Sequence, residues 1–86
     1  MLTEAGRKAL AFIATVAPHA AYPSAIGHAM TDGFTKSGRA MKAQGLGRLG
    51  GGMGARLVKL GLAGHAGRGY VLTSAGRRAL EERDDG

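Results

Sequence analysis

The segment LVKLGLAGHAGRGYVLTSAGRRAL, running from Leu57 to Leu80, decides how this chain is read. Gly61 is a natural stop for a helix that carries Leu57 and Leu60. Leu62-Ala63 and Tyr70-Val71-Leu72 then read as two short strands, with a turn at His65-Ala66-Gly67-Arg68 between them. Thr73 or Ser74 caps a last helix from Ala75 to about Arg83, which makes residues 1–83 the domain and residues 84–86 a frayed acidic end. Working back from Leu57, apolar residues fall at Leu46, Leu49, Met53, Leu57 and Leu60. Those spacings of three and four predict one core-facing stripe of a long third helix.

Towards the start, Thr3 can cap a helix over residues 4–17; Glu4 suits its positive end and Pro18 closes it. Leu10, Ile13 and Val16 are among its core contacts. Its second half is apolar nearly all round, as in a helix buried at the centre of a fold. Tyr22 is held extended by the proline after it. Pro23 and Ser24 open a short second helix from Ala25 to about Thr31, ended by Asp32-Gly33. Residues 34–44 leave two readings open: Ser37 caps a single turn through Met41, or the whole stretch is a basic loop holding Lys36, Arg39 and Lys42. The order is helix, short strand, helix, helix, two-stranded hairpin, helix, a mainly α chain with one small β-hairpin. Leu2-Thr-Glu-Ala-Gly-Arg-Lys-Ala-Leu10 and Leu72-Thr-Ser-Ala-Gly-Arg-Arg-Ala-Leu80 share seven of nine residues. Shared capping chemistry at two helix starts accounts for this better than a duplicated unit, because nothing else repeats.

The charge pattern narrows the partners. Nine Lys or Arg and no Asp or Glu lie between Gly33 and Leu80, in a chain of 86 residues and net charge +6. A one-signed field of this kind points to a polyanion, without separating DNA from RNA or an anionic membrane. Cysteine is absent, which excludes disulfides and thiolate metal sites. His19, His28 and His65 match no metal-ligand spacing, so no metal or cofactor is expected. Ser24, Ser37 and Ser74 read as caps or turn residues, one acid interrupts residues 5–80, and no P-loop pattern is present, so an enzyme is not expected. No run approaches the roughly 18 apolar residues of a membrane span. Residues 7–17 mimic a secretion signal, but Glu4 and Pro18 are misplaced for one, and a cytoplasmic, nucleoid-associated protein is expected. Sixteen glycines come with only two prolines and 44% hydrophobic residues, so they are local geometry inside a folded domain.

A long helix followed at once by a Gly-rich hairpin resembles the winged helix-turn-helix domain. The resemblance is closest over residues 46–80, in Leu57-Val-Lys-Leu-Gly-Leu62 and Gly69-Tyr-Val-Leu-Thr-Ser-Ala-Gly-Arg-Arg-Ala-Leu80. Small bacterial and phage regulators, including those of the multiple-antibiotic-resistance and phenolic-acid regulator families, carry a similar wing leading into a Leu-Thr-x-x-Gly-Arg helix start. The resemblance implies double-stranded DNA as partner and transcription regulation as function. Two departures are evident: the third helix is rich in glycine, and no long terminal helix is available for a large dimer interface.

With residues 44–60 placed at about 100° per residue and the Leu/Met stripe inward, Gln44, Arg48, Gly51, Ala55 and Lys59 face solvent. Arg pairs with guanine O6/N7 and Gln with adenine N6/N7 in a major groove. The resemblance therefore implies base contacts for Gln44 and Arg48 and phosphate contacts for Lys42 and Lys59. Lys36 and Arg39 add to this face, and His65 and Arg68 at the wing tip reach the backbone or the adjacent minor groove. Gly47, Gly50 and Gly54 cluster on one flank, where missing side chains let the second helix approach. Gly51 and Gly52 lie nearer the exposed side, where the backbone could come close to DNA. The Gly50-Gly51-Gly52 run either breaks the helix or leaves it mobile until a ligand orders it. Arg77 and Arg78 in the first turn of the last helix oppose its dipole, which nearby phosphate would offset. The acidic end, Glu81 to Asp85, solvates the terminus or folds over the basic face in competition with DNA. A homodimer through the first and last helices is open. The strongest competing function is a protein-interaction module that captures an acidic partner. With four aromatics in all, no stacking platform for unpaired RNA bases is expected.

Overall fold

A computed structural model describes residues 2–35 and 37–81. Among them, α1 (Glu4–Val16), α2 (Pro23–Thr31) and α3 (Ala43–Lys59) are followed by the antiparallel hairpin β1 (Ala63–Ala66) and β2 (Gly69–Leu72), and then by α4 (Ser74–Glu81). Lys36, the expected extension of the last helix to Arg83 and the acidic end from Glu82 lie outside the described residues. No helix among the described residues is long and apolar enough to cross a membrane.

The two similar helix starts use one device. Thr3 Oγ1 accepts the Gly6 N–H, and Thr73 Oγ1 accepts the Gly76 N–H, each at 3.0 Å. Thr73, not Ser74, is therefore the cap of α4. Its hydroxyl also donates to the Gly61 carbonyl at 2.7 Å, tying the start of α4 to the end of α3. Because Thr73 serves two partners and Thr3 one, Thr73→Ala should cost about 2 kcal/mol and Thr3→Ala about 1 kcal/mol. Urea unfolding of the two variants checks the order, and equal losses would mean that the bond to Gly61 adds nothing.

Leu10 and Ile13 of α1, Ile26 of α2 and Leu57 of α3 are fully buried and meet Ala9, Ala21, Ala63 and Tyr70. Each of the four large aliphatic side chains contributes about 1.5–3 kcal/mol by leaving water. Ala11 and Thr15 face solvent and Val16 is half-covered, so α1 is a one-sided helix rather than one buried all round.

Helix α3 runs without a break through Gly50-Gly51-Gly52. Its buried residues are Gly50, Gly54 and Leu57, whereas Leu49 is 36% and Leu60 53% exposed. The inward face is thus rotated from the Leu/Met stripe towards the glycines. The reason is backbone packing. Gly50 lies against the Pro23 carbonyl and the Gly27 N–H of α2, and Gly27 lies against the Leu46 carbonyl, so a Cβ at either glycine would overlap main-chain atoms. Gly54 admits the Tyr70 ring rather than α2, and Gly47 faces open space.

Two local expectations are corrected, and one open alternative is decided. In place of a strand near Tyr22, Ala21 alone pairs with β2: its N–H meets the Tyr70 carbonyl at 2.8 Å and its carbonyl the Tyr70 N–H at 2.9 Å. Pro23 opens α2 at once, with Tyr22 as its N-cap, which leaves no room for a second pair. The hairpin turn is the two-residue Gly67-Arg68, closed with Gly67 at φ 61°, so His65 lies within β1 opposite Tyr70 and not at the tip. Ser37 caps no helical turn. Asp32 at φ 56° and Gly33 at φ 82° reverse the chain after α2, and a small hydrogen-bonded hairpin follows in which Phe34 pairs with Ala40. The basic-loop reading of this stretch is the one observed, in an ordered form.

Candidate nucleic-acid interface

Residues spaced by four, seven and four along a helix return to one line on its surface. On α3 that line is Gln44, Arg48, Ala55 and Lys59, and all four are exposed. Gly51 does not belong to it. It is half-buried, a Cβ there would lie 3.7 Å from the Pro23 Cβ, and its carbonyl accepts the Tyr70 hydroxyl at 3.3 Å. Gly52 takes its place on the outer side, exposed and with open space beyond it.

Two structures border the line. On one flank, Tyr70 of β2 packs its ring on Gly54 and bonds to Gly51, and His65 rests on that ring with centroids 5.1 Å apart at 41°. The hairpin is thereby held against α3 beside Ala55, with exposed Arg68 at its turn. On the other flank, Met53, Arg56, Leu57 and Leu60 of α3 face Leu2, Thr3 and Gly6 at the start of α1 across a groove of about 140 Å³. Arg56 is exposed and lies between this groove and the line. It was not among the residues singled out from the sequence, because the Leu/Met stripe placed it at the edge of the core. Rotating the helix on its glycines brings it into solvent.

The N-terminal end of α3 gathers further positive charge. Lys42 is its N-cap residue, makes no side-chain cap bond and is exposed; no acidic residue lies in the first turn. The positive end of the helix dipole therefore adds to Lys42 and Arg48 instead of being offset by a carboxylate. Arg39 is exposed on the small hairpin that leads into this end, its carbonyl accepting the Thr35 N–H at 2.7 Å and its N–H meeting Thr35 Oγ1 at 3.1 Å. Arg77 and Arg78 on α4 are exposed as well. Among the described residues, no group of three or more His, Asp or Glu side chains is placed to hold a metal ion.

The geometry thus brings Lys42, Gln44 and Arg48 together at one end of α3, continues through Ala55 to Lys59, and sets His65 and Arg68 alongside. An outward helix line with cations and an amide, bordered by a short hairpin, can present donors to the base edges of a groove while its rim meets phosphates. No protein-family model, no curated protein and no solved structure matches this chain.

Proposed function

We propose that this protein binds double-stranded DNA as a winged helix-turn-helix transcriptional regulator, with α3 in the major groove and the hairpin as its wing. In this reading Gln44 and Arg48 read base edges, Lys42, Lys59, Arg56 and Arg39 hold phosphates, and Arg68 steadies the complex from the wing. The observation that carries it is the exposed line of α3, lying in a run of sequence without a carboxylate between Gly33 and Leu80. His65 supports the wing through Tyr70 instead of reaching DNA from the tip.

A second reading rests on Leu49 and Leu60, which are exposed along the flank of α3 that borders the α1 groove. Exposed leucines beside a cation suit a protein partner with an acidic, apolar segment. Selection of bound duplexes from a random pool separates the two. A recurrent motif supports DNA recognition, and its symmetry reports whether the protein acts as a dimer. A pool without enrichment, together with capture of an acidic protein, favours the second reading.

Arg48→Ala should weaken binding to the selected duplex by about 1–3 kcal/mol and relax preference at one base pair. Lys59→Ala should weaken all sequences alike and lower the salt slope by about one unit. Competition titrations with single-base variants of the duplex distinguish the two effects. Identical profiles for both variants would remove Arg48 from base reading.

A further inference from the structure

The connection between α2 and α3 spans Asp32 to Lys42, eleven residues, where a helix-turn-helix commonly uses roughly three to four. The additional length is not slack. Met41 N–H bonds to the Gly33 carbonyl and Thr35 N–H to the Arg39 carbonyl, each at 2.7 Å, and Gly38 N–H bonds to the Thr35 carbonyl at 3.0 Å. These bonds hold Phe34 against Ala40 in an antiparallel pair while leaving the phenylalanine 53% exposed. An aromatic ring kept half in water on a hydrogen-bonded hairpin adds little to the core, and it does not join the buried cluster.

Its surroundings are basic. Arg39 is exposed on the small hairpin and Lys42 is exposed just after it, at the N-cap of α3, and Asp32, at the end of α2, is the one carboxylate near them in sequence. The hairpin rises from the end of α3 that carries Gln44 and Arg48: Lys42 caps that helix, and the Met41 methyl sits 3.5 Å from where a Gly45 Cβ would be. One end of α3 therefore joins base-reading side chains, phosphate-binding cations and an outward aromatic ring.

We infer that Phe34 is a wedge that enters the stack of base pairs at the edge of the site held by α3, bending the duplex there. This rests on the DNA reading above and deepens it by naming the shape of DNA that the protein selects. Arg39 and Lys42 hold phosphates on either side of the opened step. Apolar wedges of this kind unstack a step and kink DNA by roughly 20–90°. Pyrimidine–purine steps yield most readily, so the selected duplexes should carry TA or CA/TG at one margin, outside the bases read by Gln44 and Arg48.

The test uses the full chain and a duplex from the selected pool, labelled with a donor and an acceptor dye at its two ends. Wild-type protein should raise energy transfer as the ends approach. Phe34→Ala should bind roughly tenfold more weakly and leave the duplex straight, by loss of one ring–base contact. Phe34→Leu, which retains an apolar wedge, should keep most of the bend. Thermal unfolding midpoints of both variants should match wild type, because the side chain is half exposed and outside the core. A duplex that is bound but stays straight, or that Phe34→Ala bends as well as wild type, overturns the wedge and leaves DNA recognition standing. No binding of any duplex by wild type overturns both.

Discussion

Gly50→Ala should unfold this protein or bring it close to unfolding, although alanine is the better helix former. The added methyl would overlap the Pro23 carbonyl and lie 2.6 Å from the Gly27 nitrogen, both main-chain atoms of α2 with no rotamer to yield. Separating α2 from α3 to admit it would also part Gly27 from the Leu46 carbonyl and loosen the packing around Ile26 and Leu57. Overpacking on this scale costs about 3 kcal/mol or more, a large share of a small domain's stability. The unfolding midpoint should fall by roughly 12 °C or more. Gly52→Ala is the control on the same helix. A Cβ there meets nothing within 4 Å, so helix propensity alone acts and stability should rise by about 0.5–1 kcal/mol. Calorimetry of the two variants reads opposite signs. A Gly50→Ala protein as stable as wild type would disprove backbone-on-backbone packing of α2 and α3.

Affinity for duplex DNA should collapse with salt. Arg39, Lys42, Arg48, Arg56, Lys59 and Arg68 are six exposed cations on or beside the α3 face. Each phosphate neutralised releases condensed counterions, so about six contacts give a slope near −5 in log affinity against log salt. Between roughly 50 and 200 mM salt the loss is about a thousandfold. Docking of a protein through apolar contacts with Leu49 and Leu60 would respond far less, because apolar burial strengthens slightly as salt rises. Titrations over that range, monitored by fluorescence anisotropy, give the slope directly. A value shallower than about −2 would mean that few of these cations meet phosphate, and the proposed interface would have to be abandoned.

The parts of the fold that were legible in the sequence are those written in local chemistry. Thr3 and Thr73 announce helix starts through their hydroxyls, Gly61 ends α3, and Tyr70-Val71-Leu72 reads as a strand because β-branched and aromatic residues suit one. The less legible parts depend on what a residue lacks or on distant partners. Hydrophobic periodicity sees Leu49 and Leu60 but assigns no weight to glycine, so the inward face of α3 was read off centre. Gly50 and Gly54 are buried because they carry no side chain. Ala21 pairs with Tyr70, nearly fifty positions away, and nothing in the local sequence marks one alanine as the stub of a strand. The outward placement of Gln44, Arg48, Ala55 and Lys59 was legible, because a helical line opposite the core survives an error in helix rotation. Gly51, expected to face outward, is half-buried, and the exposed Arg56 was not singled out at all; both lie at the borders where that error matters most.

Tyr70 has a consequence for distance as well as for packing. Its backbone is fastened to Ala21, its ring is seated on Gly54, its hydroxyl reaches Gly51, and His65 leans on it. One residue thereby fastens the hairpin to α3 at several points. On the proposed DNA reading, α3 and the wing should therefore tolerate one phase only on a duplex. An inserted base pair between their proposed footprints should put them about 35° out of step and weaken binding.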